Sequence, residues 1–223
     1  MKGMGPRELA VRAVELLIGL TIAHLGVTLF LLSDLGSDPF NVLIQGLHRA
    51  LPWPAFMDTH GRVHLLVSLI IMLVLLVAAK GFVKIGTVIC MALGGPIIDF
   101  WELLLDPVLG SLGLGGRIVL LVAGCLILAF GMTVVISSDL GAGPNDLVAV
   151  SISEIFKKPF GAVRVCVDVA FALAGWLLGG VLGAGTVVCA FLVGPAAQLF
   201  FPLSRRLCAL VLKGAGGELE NKR

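Results

Sequence analysis

Tyrosine is missing altogether, and charge is scarce: only 13% of the 223 residues are Asp, Glu, Lys or Arg. A soluble domain needs roughly a quarter of its residues charged to cover its surface. Most of the outer face of this chain must therefore meet something other than water. The five cysteines stand singly, with no Cys-x-x-Cys pair, which excludes the common zinc and redox frameworks. Cys90, Cys125, Cys166, Cys189 and Cys208 all fall in apolar blocks and read as small buried hydrophobes. No histidine pair has metal-ligand spacing, no G-x-S-x-G turn occurs, and no glycine-rich loop carries a nucleotide-site lysine. The expectation is a protein that is not an enzyme and holds no metal or cofactor. There is no basic patch, so no nucleic-acid partner is expected either.

What is present is apolar sequence in long blocks. Hydrophobic residues make up 58% of the chain, and the mean hydropathy is +1.08. Arg12–Leu32, Val63–Ala79, Ile85–Leu105, Ile118–Ser138, Val163–Gly180 and Gly185–Leu212 are each about long enough to cross the hydrocarbon core. The chain reads as a single all-α, polytopic membrane domain over residues 1–223, with the lipid bilayer as its main partner. Its first block follows Lys2, Arg7 and Arg12 but is too long for a signal-peptide core, and it reads as a retained span. Residues 214–223 form a polar tail.

The chain also repeats itself. Ser33-Asp34-Leu35-Gly36-Ser37-Asp38-Pro39 recurs as Ser138-Asp139-Leu140-Gly141-Ala142-Gly143-Pro144 at an offset of 105 residues. The same offset pairs Arg12 with Arg117, Gly19 with Gly124, Gly26 with Gly131, and Asn41 with Asp146. Further on, Gly86-Thr87 and Gly95-Pro96 match Gly185-Thr186 and Gly194-Pro195 at an offset of 99. Two repeats are expected, at about 12–106 and 117–203. Each contains three spans and one short helix, Pro39–Leu51 or Pro144–Phe156. About 13 residues rise only about 20 Å, too little to cross. These short pieces are expected to be broken or re-entrant helices, and three spans per half make the halves inverted.

Charge placement agrees with six spans. One side then holds Lys2, Arg7, Arg12, Lys80, Lys84, Lys157, Lys158, Arg164, Arg205, Arg206 and Lys213, while the other holds Arg49, Arg62 and Arg117. That is the positive-inside pattern with both termini cytoplasmic. An eight-span arrangement with parallel halves obeys the rule equally well, and helix length favours six.

The Asp-Leu-Gly-x-x-Pro breaks are the first place to look for chemistry. Gly36 and Gly141 suit a helix end, Pro39 and Pro144 suit a first turn, and Asp38 is a natural N-cap. A helix starting inside the membrane offers free N–H groups to a polar ligand. The substrate-binding candidates are accordingly Asp34, Gly36, Asp38, Pro39 and Asn41, then Asp139, Gly141, Gly143, Pro144, Asn145 and Asp146. Thr87 and Thr186 join them as residues able to face a shared cavity from the two halves or to bond back to their own helices. Asp34 and Asp139 admit a plain alternative as surface-turn residues.

Ionisable side chains within spans are costly and point to function. His24 and Asp168 are the candidates for coupling; an i,i+4 pair of Asp168 with Arg164 is the competing reading.

The two breaks and the late Gly-Thr…Gly-Pro run at Gly183–Pro195 resemble the bacterial YczE/YyaS/YitT membrane-protein family, closer to its YczE branch. The resemblance spans about Arg12 to Pro202, and Asp38 stands where the second copy has Gly143. It implies a small polytopic protein of the bacterial cytoplasmic membrane and names no substrate. The leading expectation is a small-molecule secondary transporter or permease that binds its substrate between two halves. The alternatives are a substrate-binding membrane subunit of a larger uptake system and a membrane scaffold for a biosynthetic enzyme. A homo-oligomer or a partner subunit is compatible with each.

Overall fold

Pro6, Pro39 and Pro144 each open a helix, at the first-turn position where a missing N–H goes unneeded. The computed structural model describes residues 4–58, 60–79, 81–109 and 112–215. Among them run eight helices and no strand: α1 Pro6–Leu32, α2 Pro39–Ala50, α3 His60–Ala78, α4 Ile85–Leu109, α5 Leu114–Ser137, α6 Pro144–Phe156, α7 Phe160–Leu177 and α8 Ala184–Gly214. Lys2, Lys80 and the tail beyond Ala215 lie outside the described residues.

Five helices, α1, α4, α5, α7 and α8, are long and apolar enough to cross a membrane. Among the fully described residues the expected sixth span, α3, supplies a shorter apolar run, Arg62–Ala78. Leucine, valine and phenylalanine cover the outer faces, with Leu103 80% exposed and Leu199 79% exposed. Apolar surface on this scale belongs in lipid. The protein is a multi-pass membrane protein.

Connectivity separates the helices that traverse the bundle from those that do not. Asp34, after α1, lies beside Arg117 at the start of α5, and Leu35 bonds Gly185 at the start of α8. These residues mark one end of the bundle, the Asp34 end. Asp139, after α5, meets Arg12 near the start of α1 and Lys84 before α4, marking the opposite, Asp139 end. α2 leaves the Asp34 end and returns to it, since Arg49 donates to the Gly179 carbonyl (2.8 Å) in the α7–α8 turn. α6 leaves the Asp139 end and runs straight into α7, which ends at the Asp34 end, so α6 also returns to its starting side. That leaves six helices running end to end, α3 among them.

The centre of the bundle is the α1–α5 crossing. Gly19 meets Val134 and Val135, while Gly26 meets Gly124 and Leu128. Positions rise on α1 as they fall on α5, so these two helices are antiparallel. Small residues let the backbones approach closely where lipid supplies no hydrophobic drive between helices. Around this pair, Thr133 and Ser204 share a buried hydrogen bond of 2.6 Å between α5 and α8. Trp101 Nε1 donates to the Thr21 carbonyl at 3.3 Å, tying α4 to α1.

A Cβ at Gly124 would lie 2.7 Å from the Gly26 carbonyl oxygen and 2.7 Å from the Phe30 nitrogen, whereas one at Gly95 meets nothing within 4 Å. Gly124→Ala is therefore expected to cost about 1–3 kcal/mol by overpacking. Gly95→Ala should leave the thermal midpoint in detergent unchanged. Equal midpoints for the two variants would remove the α1–α5 crossing from its central place.

Candidate functional site

Each break is built from an aspartate that ends a helix and a glycine that turns the chain inward. Asp34 and Asp139 have φ of 51° and 60°, and Gly36 and Gly141 have φ of 147° and 127°. The left-handed residue that stops each helix is thus the aspartate, where the sequence pointed to the glycine. A short polar side chain tolerates this conformation. The glycines follow in a region that L side chains rarely enter.

After the turn, each segment pairs with the start of a distant helix. Gly185 N–H donates to Leu35 O and Gly86 N–H donates to Leu140 O, both at 2.8 Å. Thr186 Oγ1 donates to Ser37 O, and Thr87 packs on Gly141 with its own Oγ1 unpartnered. The two threonines therefore brace the breaks, and Thr186 Oγ1 also accepts from the Gly183 N–H at 3.2 Å, bonding back to the N-cap of its own helix, the alternative expected from sequence. Asp34 pairs with Arg117 at 3.2 Å, and Asp139 pairs with Lys84 and, at 3.8 Å, with Arg12. Both aspartates are at the bundle ends, and the Asp34 side chain is 78% exposed.

The remaining candidates converge at the inner ends of α2 and α6. Asp38 caps α2, accepting from Phe40 N (3.1 Å) and Asn41 N (3.2 Å) while Asn41 Nδ2 donates to its second oxygen. Pro39 and Phe40 are buried behind it, and the Phe40 ring packs against Phe171 of α7 at 5.4 Å. α6 begins at Gly143 without a side-chain cap, and Asp146 stands in its first turn, where the helix dipole favours an anion. Asn145 lies half-buried beside Gly143.

Between them runs α7, which supplies a residue the sequence reading placed elsewhere. Arg164, counted among the charges at the cytoplasmic surface, is buried. Its Nε donates to Asp168 Oδ2 at 2.9 Å and its Nη1 to Asp146 Oδ1. Asp168 is 1% exposed and Arg164 7%. The anticipated i,i+4 pair exists, but in the interior, with a third member from α6. Asp38 is near enough to act electrostatically on Asp168, as is Asp146 on His24. His24 Nδ1 lies 2.7 Å from the Leu20 carbonyl, and its other edge packs on Gly94 of α4. Of the expected site, the structure gathers Asp38, Asn41, Asp146 and Asp168, with His24 nearby. It leaves Asp34 and Asp139 at the ends. The signal that marks Arg164 is its spacing of four from a buried aspartate, on a helix that starts beside Asp146's own. Among the described residues no cluster of His, Cys, Asp and Glu is arranged to hold a metal.

A family described as "Family of unknown function (DUF6198)" matches residues 10–202. The chain belongs to this family. It is 32% identical over 196 residues to an uncharacterized protein of Haemophilus influenzae, covering 86% of this chain and 84% of that one. It is 29% identical over 202 residues to the uncharacterized membrane protein YczE of Bacillus subtilis, covering 90% of each. A third relative, the uncharacterized protein YyaS of Bacillus subtilis, is 23% identical over 189 residues, 85% of this chain and 92% of that one. The resemblance to the YczE and YyaS proteins drawn from the break motifs therefore holds over nearly the whole chain. No solved structure matches.

The two sets of aspartates should respond differently to substitution. Arg164→Ala leaves the buried Asp168 and the part-buried Asp146 without their partner, for an expected loss of about 3–5 kcal/mol. Asp34→Asn keeps a residue that tolerates the left-handed turn and removes only an exposed pair, for an expected loss of less than about 1 kcal/mol. Thermal midpoints of the two variants in detergent check this. A larger loss at Asp34 would invert the assignment.

Proposed function

We propose that the protein is a small-molecule secondary transporter of the bacterial cytoplasmic membrane, with its solute site where α2 and α6 begin. The observation that carries this reading is Arg164, buried and bonded to both Asp146 and Asp168 beside the inner end of α6. Charges inside a membrane protein are costly, and they recur at solute and proton pathways. Helices that start at membrane depth, at matching places in two halves, supply the polar groups of transporter sites. The antiparallel α1–α5 pair and the matched hydrogen bonds at Gly86 and Gly185 support reading the duplicated segments as two inverted halves.

In this mechanism Asp168 is the coupling residue. The set of Asp146, Asp168 and Arg164 carries one more negative than positive charge when fully ionised, and Asp38 adds another nearby. A proton or a cationic group entering the site offsets that excess and frees Arg164 from one of its two carboxylates. Such a release changes how α6 is held to α7, which links occupancy to movement of one half against the other. His24, on α1, contributes a second titratable group within electrostatic reach of Asp146.

The test begins with a screen of small polar solutes for thermal stabilisation of the purified protein. A ligand at 100 times its Kd stabilises the folded state by about 2.7 kcal/mol. The expected result is a solute whose shift is present in the wild type and lost in Asp168→Asn, with the ligand-free midpoint little changed. A solute whose shift persists in both Asp168→Asn and Asp146→Asn would place binding elsewhere and end this reading. Copurification of an ATPase, with tight binding and no flux in proteoliposomes, would instead identify a binding subunit of an uptake system.

A further inference from the structure

A cavity of about 410 Å³ opens at the Asp139 end between α5, α6, α7 and α8. Its walls include Val150, Ser153 and Glu154 of α6, Phe160 of α7, and Gln198 and Arg205 of α8. Each wall continues inward to the buried charges. On α6, Asp146 lies four residues before Val150 and seven before Ser153, the spacing of a single helix face. On α7, Phe160, Arg164 and Asp168 repeat every four residues along one face. On α8, Gly194 sits one turn inward of Gln198, where a Cβ would come within 3.3 Å of the Arg164 Cβ. One turn rises about 5.4 Å, so the floor of the cavity and the Arg164 cluster are neighbours on all three helices.

We propose that this cavity is the aqueous vestibule by which a small hydrophilic solute reaches the Arg164 cluster from the cytoplasm, with Phe160 and Phe201 as its inner barrier. This rests on the reading of the cluster as the solute site. The volume suits a small molecule, and the lining mixes apolar walls with a few polar groups, as ligand cavities do. Glu154, Lys158 and Arg205 ring the opening, and charges of both signs are stable there only in contact with water. Lys157 and Arg206 stand beside the same opening in the chain, so the mouth is on the basic side that the positive-inside rule assigns to the cytoplasm. The barrier is specific. The Phe160 and Phe201 rings meet edge to face at 5.0 Å, and the Arg205 guanidinium lies over Phe201 at 5.3 Å. Gln198 Oε1 accepts from Gly161 N–H at 2.9 Å, holding the start of α7 against α8 just below Arg164. Parting the two rings opens the step from cavity to cluster without moving the α1–α5 crossing.

Cysteine accessibility tests this without knowledge of the solute. Cys166, the exposed native thiol, is replaced by Ser in the full-length protein, and Ser153→Cys, Gln198→Cys and Leu199→Cys are made singly in that background. Leu199 is the lipid-facing control. The probe is a membrane-impermeant, water-soluble methanethiosulfonate applied to inside-out vesicles and, separately, to intact cells. Because the hydrated thiolate is the nucleophile, positions 153 and 198 should react about ten-fold or more faster than position 199 in inside-out vesicles. They should be protected in intact cells. Phe160→Ala should further accelerate a deeper Val150→Cys. Reaction of 153 and 198 as slow as that of 199, or reaction from the outside only, would overturn the vestibule. The labelling needs no bound solute, so it fails independently of the ligand shift at Asp168. A shift with no labelling leaves the site and removes this route to it.

Discussion

In hydrocarbon an unpaired N–H or C=O has no water to turn to, and this constraint shapes the segments that lead inward from the two breaks. A chain that stops a helix at Asp34 or Asp139 must find partners for the four residues that follow. It finds them at the starts of other helices, whose first N–H groups are themselves unsatisfied. Leu35 O takes the Gly185 N–H and Leu140 O takes the Gly86 N–H. One shortage thus answers another. The aspartates, in turn, attract Arg117, Lys84 and Arg12, so both ends of the bundle are held by a short hydrogen bond and an ion pair at almost the same place. The break motif is in this sense structural first, and its consequence is to deliver two helix N-termini to the interior.

Those two N-termini are treated differently. Asp38 closes the start of α2 with its own carboxylate and with Asn41. Gly143 offers no side chain, and the first turn of α6 is instead coupled through Asp146 to Arg164. The capped helix start is locally complete. The uncapped one depends on a neighbouring helix for its charge balance.

Much of this arrangement is legible in sequence. The short helices, the N-cap at Asp38 and the prolines that start α2 and α6 follow from local residue chemistry, which is why their limits fall within a residue of expectation. Five of the six expected spans are among the long apolar helices, and α3, at 19 residues, is the sixth helix that hydropathy picks out. What could not be read was which polar residue faces which. Asp34 and Asp139 stand out in the motif, but the motif does not say how deep a turn lies, and the ion pairs that hold them are remote in sequence. Arg164 illustrates the same gap from the other side. By count it belongs near a basic loop after Lys158, and only the packing of α6 over α7 carries it into the interior.

Positions that correspond in the duplicated sequence differ in the charges they carry. At an offset of 102 residues Arg164 corresponds to Arg62, and Asp168 to Leu66. Arg62 donates to the Phe56 carbonyl in an exposed loop at 2.8 Å, whereas Arg164 is buried between two carboxylates. Likewise α7 packs closely on α8 through Gly161 and Gly194, while α3 and α4 share no comparable interface among the described residues. The duplicated motifs therefore accompany a set of charges that is not duplicated. Two equal charged sites facing one another would double the desolvation cost without adding a distinct state. With the arginine and its second aspartate on α7 alone, that cost is incurred once.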